Sequence, residues 1–168
     1  MTFDLAVQII IMHEGDYVNH PKDPGGETRF GISKRAFPNE DITNLTITRA
    51  KEIYRQYYWD LCQCESLPFY ARLAVFDCAV NQGATRAVIF LQRSLKVKPD
   101  GIIGPETLKA MANVGQAEFL ECYLDLRMKA YANHPQWGVF GKGWMARLFD
   151  ISFKSFRQLI PAPNVLLT

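Results

Sequence analysis

The chain reads as a mainly α-helical globule of about six to eight helices with one small β-hairpin, and three observations lead there. Apolar residues recur at helical spacing over most of the chain after Ser33. Gly and Pro fall where one helix closes and the next opens. The one long stretch rich in helix breakers, residues 19–26, is followed by the short extended piece Thr28 to Ile32. With 168 residues, 48% hydrophobic and 21% charged, the chain can build one core, and 1–168 is read as a single domain.

Taken in order, Leu5-Ala6-Val7-Gln8-Ile9-Ile10-Ile11-Met12 is apolar almost all round, which predicts a buried central helix closed by Gly15. Thr46 caps a helix over 47–59 with Ile47, Ala50, Ile53, Tyr54, Tyr57 and Tyr58 along one face. Ser66 and Pro68 open another, through Leu73, Ala74, Phe76 and Cys78, stopped at Gly83. Further helices fit 85–95, 105–113, 116–132 and 142–160, separated by Lys98-Pro99-Asp100-Gly101, by Gly115 and by Asn133-His134-Pro135.

The chemistry is concentrated in His13-Glu14-Gly15-Asp16-Tyr17 and in Asp23-Pro24-Gly25-Gly26-Glu27-Thr28-Arg29-Phe30-Gly31-Ile32. Glu14 ends the first helix, where apolar walls and the negative end of the helix dipole disfavour an ionised carboxyl and suit a general acid. Asp23 falls on a solvated loop and suits the ionised partner. Idle surface acids and an Asp-Pro-Gly-Gly turn account for the same residues in a non-catalytic chain, and Thr28 can be an ordinary strand residue. Glu27 competes with Asp23, but beside an extended Thr28 it points to the opposite face. Asp77 and Asn81, four apart on one helix, either face a cleft or satisfy buried backbone groups.

The spacing Glu14, Asp23, Thr28 is similar to the Glu/Asp/Thr pattern of phage-type lysozymes. Glu14-Gly15-x-Tyr17, Asp23-Pro24-Gly25-Gly26-x-Thr28, Gly31-Ile32-Ser33, Asp77-x-Ala79-Val80-Asn81-x-Gly83 and Gly143-Trp144-x-x-Arg147 resemble glycoside hydrolase family 108. That family comprises phage endolysins and bacterial relatives once called secretion activator proteins. The likeness runs from about Ile10 to Arg157 and departs at Asp16, where the family usually has Gly. It implies a lysozyme-like fold and hydrolysis of the β-1,4 bond between N-acetylmuramic acid and N-acetylglucosamine in peptidoglycan. Glu14 would be the acid, and Asp23 and Thr28 would hold or activate water, with the loop position of Asp23 favouring inversion; Tyr17, three residues past Glu14, is the candidate for lining the cleft, with Asp77 and Asn81 as substrate-binding candidates if their shared face is the cleft one.

A second segment, Leu91-Gln92-Arg93-Ser94-Leu95 followed by Asp100-Gly101-Ile102-Ile103-Gly104-Pro105-Glu106-Thr107-Leu108, resembles the repeat of small helical peptidoglycan-binding modules. Asp-Gly makes the turn and Pro105 starts the next helix, so 86–115 is expected as a helix-turn-helix unit within the same globule. Trp59, Trp137 and Trp144, with Tyr17, Tyr57 and Tyr58, either offer flat faces to sugars or fill the core; the helical spacing of Trp144 and Leu148 favours core.

Residues 1–84 carry 8 Lys/Arg and 11 Asp/Glu, net −3, and residues 85–168 carry 11 and 6, net +5. The basic half can lean on an anionic wall polymer through Lys129, Lys142, Arg147, Lys154 and Arg157, or these can be solvated helix faces. No basic stripe interleaved with aromatics suggests nucleic acid. Cys62, Cys64, Cys78 and Cys122 lean reduced, and Cys78 reads as a buried small hydrophobe. His13, His20 and His134 are scattered, so neither metal nor cofactor is expected. The apolar run before Glu14 is too short to span a bilayer and lacks the flanks of a secretory signal. A monomer is expected, made in the cytoplasm and reaching the wall by a separate export or holin route. Two rivals stay open: a lytic transglycosylase, which needs Glu14 alone, and a non-catalytic wall-binding protein centred on Asp100-Gly101.

Overall fold

Side-chain caps and glycines set the helix ends. In α1 (Phe3–Glu14) the Thr2 hydroxyl accepts from Leu5 N, and Gly15, at φ 79°, closes the helix by donating its N–H to Ile11 O. The computed structural model describes residues 1–15, 17 and 26–160. After α1 come β1 (Thr28–Arg29) and β2 (Ile32–Ser33), then α2 (Ile47–Tyr54), capped by the Thr46 hydroxyl on Arg49 N. The chain continues through α3 (Phe69–Gln82), α4 (Ala84–Ser94), α5 (Pro105–Asn113), α6 (Gln116–Ala132) and α7 (Trp137–Phe156). Seven helices and one two-stranded antiparallel sheet thus make up the described residues, the mainly helical class that the breaker spacing predicts.

The central helix is α3, not α1. Every residue from Leu73 to Ala79 is buried, and α3 packs against α1, α4, α6 and α7. In α1 only Phe3, Ala6, Val7 and Ile10 are buried, while Leu5 and Met12 are 56% and 84% exposed. An apolar surround is therefore no proof of burial, and the helix that carries a charge, Asp77, is the one enclosed. One hydrophobic cluster runs from Met1 to Ile151 and takes in Trp59, Phe76, Leu91, Phe119 and Leu120.

Two elements depart from simple helical periodicity. After Tyr54 the chain widens into a π turn over Arg55–Trp59, where Asp60 N donates to Arg55 O across five residues at 2.9 Å. The shift breaks the single face expected over 47–59: Ala50, Ile53 and Tyr54 are buried, Tyr57 is 44% exposed, and Trp59 turns into the core. α7 begins at Trp137 rather than 142, and so runs through Gly138, Gly141 and Gly143. A Cβ on Gly141 would lie 2.8 Å from the Trp137 ring, so that glycine lets the indole fold back onto its own helix.

Within 86–115 the turn is locked from inside. Gln92, 1% exposed, donates to Asp100 Oδ1 at 2.8 Å and Ile102 O at 2.9 Å, and its Oε1 accepts from Gly101 N at 2.8 Å. Gly101 takes φ 80° and Pro105 opens α5 at its first position. α4 packs against both α3 and α6, so this unit shares the main core. No helix of the described residues is long and apolar enough to cross a membrane.

Cys62, Cys64 and Cys78 are buried free thiols, and Cys122 is half-buried. Burial, with Cys78 nearby, pushes the Cys62 thiol up to about 12. Iodoacetamide under native conditions is therefore expected to modify Cys122 at most, with the other three reacting only after unfolding. Mass spectrometry of labelled peptides checks this, and rapid native labelling of Cys62 would contradict the packing.

Candidate active site

The site is assembled where the end of α1 meets the β-hairpin and α7. The hairpin pairs Thr28 with Ser33 and Arg29 with Ile32, around Phe30 and Gly31 at φ 50° and 77°. Two successive positive φ angles make the tight turn that matches strand twist. Gly31 is also a contact: a Cβ there would sit 2.4 Å from the Tyr54 hydroxyl and 2.6 Å from Glu14 Cγ. The turn thus rests on the stem of Glu14, and Tyr54 fastens it by donating to Phe30 O at 2.9 Å. Arg29 and Glu27 both reach Thr43, on the face away from Thr28, as strand alternation predicts.

Behind Glu14 runs a ladder of charges. Arg147 Nη1 donates to Glu14 Oε1, and Arg147 Nε donates to Asp77 Oδ1 at 2.8 Å. On the other side of Asp77, Arg127 Nη2 donates to Oδ2 at 2.6 Å. Arg127 Nη2 also reaches the Tyr131 hydroxyl at 3.2 Å, and that hydroxyl donates to Asn81 Oδ1 at 2.6 Å. Asp77 and Arg127 are both 0% exposed and Arg147 9%, whereas the Glu14 side chain keeps 23%. Burial works to lower the Arg147 and Arg127 pKa values, but the carboxylates outweigh it and both are raised. Buried charges survive only when paired in this way.

This arrangement corrects three readings. Glu14 ends against a guanidinium rather than against apolar walls. Asp77 does not line a cleft: both its oxygens are engaged by buried arginines and none of it reaches solvent. Arg147 is not a wall-facing charge, and Lys129 and Lys154 are paired along their own helices with Asp125 and Asp150. Of the other predicted positions, Asn81 is half-buried beside the ladder, Thr28 is half-buried on β1, and Tyr17 is 41% exposed just past Gly15. Asp23, with Asp16 and His20, lies outside the described residues.

Two open grooves each carry a residue that interacts with Glu14, Tyr58 in one and Arg147 in the other. One, of about 370 Å³, is lined by Phe37, Pro38, Glu40, Tyr57 and Tyr58. Tyr58 borders Glu14: burial and then the Glu14 charge push its hydroxyl above the ordinary tyrosine range. The other, of about 340 Å³, is lined by His13, Asn81, Gly143, Trp144, Ala146 and Arg147. Trp144 is half-buried there, packs against the edge of the core and stacks on Tyr131 at 5.3 Å between ring centres. Sequence reasoning missed Tyr54, Arg127 and the role of Arg147. For Asp77 the available signal was a lone charge in the otherwise apolar run 73–79, whereas Arg127, flanked by Asp125 and Lys129, offered no such signal. Among the described residues no three His, Cys, Asp or Glu side chains gather as a metal site.

A partly exposed acid held by a buried arginine, with a groove beside each of two neighbours, on a helical scaffold with one small hairpin, defines a lysozyme-like architecture. Residues 7–83 match the family described as glycosyl hydrolase 108, and residues 86–149 match the domain described as "Predicted Peptidoglycan domain". The structure titled "Structure of Brucella abortus SagA" is 32% identical, covers 92% of this chain and 94% of its own, and superposes with a TM-score of 0.84. No curated protein matches the chain. The chain belongs to the glycosyl hydrolase 108 family. The Glu14–Arg147 pair joins the two matched stretches, one residue from each.

Two substitutions probe the construction. Asp77→Asn leaves two buried guanidiniums facing a neutral group and is expected to cost about 3–5 kcal/mol in urea unfolding; a loss under about 1 kcal/mol would show that the ladder is not needed. Gly31→Ala is expected to lower the melting temperature by several degrees, since positive φ and the Glu14 contact both oppose a Cβ, and an unchanged melting temperature would contradict that contact.

Proposed function

We propose that the protein is a peptidoglycan muramidase that hydrolyses the β-1,4 bond between N-acetylmuramic acid and N-acetylglucosamine, with Glu14 as general acid. One observation carries this reading: Glu14 is the partly exposed end of an otherwise buried charge ladder, and its neighbours Tyr58 and Arg147 each line an open groove, in a chain of a glycoside hydrolase family. A glycan strand laid along the grooves would pass Phe37 and Tyr57 on one side and Trp144 on the other, with aromatic faces for the apolar sides of sugar rings. Arg147 holds Glu14 Oε1, so a proton on Oε2 is presented to the leaving O4. Because Asp77 pins Arg147, the carboxyl is oriented before substrate arrives, which favours proton transfer in place.

In this reading Asp23 is the base that activates water, Thr28 helps to position that water, and Tyr17 borders the cleft. A carboxyl separation of about 6.5–9.5 Å then leaves room for the water and the anomeric centre inverts. The two matched stretches work as one catalytic domain, because Arg147 and Arg127 come from the second and Glu14 and Asp77 from the first. The protein acts on the wall as a monomer after leaving the cytoplasm by a separate route.

Glu14→Gln keeps an oxygen for Arg147 and is expected to fold with unchanged circular dichroism while losing at least about 100-fold in release of soluble fragments from purified sacculi. Mass spectrometry of the parent's products should show reducing muramic ends, α-anomeric when freshly released. Parent-like activity of the variant would overturn the acid assignment, and 1,6-anhydromuramic ends would make the enzyme a transglycosylase instead.

A further inference from the structure

Beyond the acid, the groove on the Trp144 side continues into a smaller cavity of about 180 Å³ whose wall includes Asn81, Gln82, Arg86, Tyr131, His134 and Trp144. The two cavities share Asn81 and Trp144, so the smaller one is reached from Glu14 by way of Arg147. Its wall is one-sided in hydrogen-bonding character.

The polarity follows from the ladder. Arg127 donates to the Tyr131 oxygen, so the Tyr131 proton goes to Asn81 Oδ1. With its oxygen engaged from behind, Asn81 has only its amide N–H groups left to offer. Gln82 is fixed in the same sense, because Cys78 Sγ donates to Gln82 Oε1 at 3.5 Å. Neither amide nitrogen has an acceptor among the described residues. Arg86 is exposed, and no carboxylate among the described residues lies within salt-bridge distance of it. On its other side Arg86 borders a further cavity of about 460 Å³ that also carries Arg93.

Donors and cations without an acceptor to match call for an anion, and a planar one suits amide and guanidinium geometry best. Trp144 meanwhile has its ring stacked on Tyr131 and held edge-on by His134 at 5.0 Å, a rigid aromatic wall beside those donors. We propose that the cavity bounded by Asn81, Gln82, Arg86 and Trp144 is a carboxylate-binding subsite that holds an acid group of the peptidoglycan strand while Trp144 carries the adjoining sugar ring. The inference rests on the muramidase reading for the polymer and on the cavity alone for the anion. The acid has two chemical sources in such a strand: the lactyl group of muramic acid itself, or a free carboxylate of the peptide attached through it.

The test reads binding of monosaccharides that contain no glycosidic bond to cleave, so it stands apart from any failure of hydrolysis. The parent protein and Arg86→Gln are titrated by NMR with N-acetylmuramic acid, with its lactyl methylamide, and with an N-acetylmuramyl dipeptide ending in free and in amidated acid. The parent should bind an acid form at least about tenfold more tightly than its amide, and Arg86→Gln should abolish the difference while its binding of the neutral forms stays unchanged. Discrimination with N-acetylmuramic acid assigns the lactyl source; discrimination only with the dipeptide assigns the peptide source. Equal affinity for every acid and amide pair, or an Arg86→Gln variant that discriminates like the parent, overturns the proposal.

Discussion

Asp77 holds two arginines, and through one of them it holds the acid of the site. The carboxylate is fully buried on the helix that packs against α1, α4, α6 and α7, and its oxygens are divided between Arg127 from α6 and Arg147 from α7. Arg147 spends its remaining reach on Glu14 at the end of α1. Four helices thus meet in one electrostatic unit, and the position of the only partly exposed member follows from three buried ones. Water cannot screen this ladder, so its members are strongly coupled, and losing any one leaves an uncompensated charge.

The same unit explains why the two stretches with separate family matches form one site. A catalytic stretch that ended at Gly83 would hold Glu14 and Asp77 without either arginine, leaving a buried carboxylate unpaired. The second stretch supplies both cations, along with Trp144, Arg86 and the rigid Asp100–Gly101 turn. Gly143, Trp144, Ala146 and Arg147 of this stretch line the groove on that side.

Much of the fold was legible because its punctuation is chemical. Thr46, Gly15, Gly83 and Pro105 act at the helix ends as their side chains and backbone freedom dictate. The start of α7 was hidden because three glycines fall within its first seven residues, and only the fold shows that Gly141 serves the close approach of Trp137. The π turn was hidden because residues 47–59 carry apolar residues on either side of a register shift that only packing reveals. At the site, the Glu14 motif and its hairpin were visible in local spacing. The partner of Glu14 was not: Arg147 lies 133 positions away, and its charge looked like part of a solvated face until the enclosed position of Asp77 was known.

The central claim is that Arg147 acts on the reaction through Glu14 and not independently of it. The direct test is a double-mutant cycle of Glu14→Gln and Arg147→Lys, with each variant's turnover on purified sacculi measured after folding is confirmed by circular dichroism. The account predicts that Arg147→Lys lowers turnover in the parent but adds nothing further once Glu14 is Gln. Losses that simply multiply would show that the two residues work separately, and the ladder would then be architecture without a share in the chemistry.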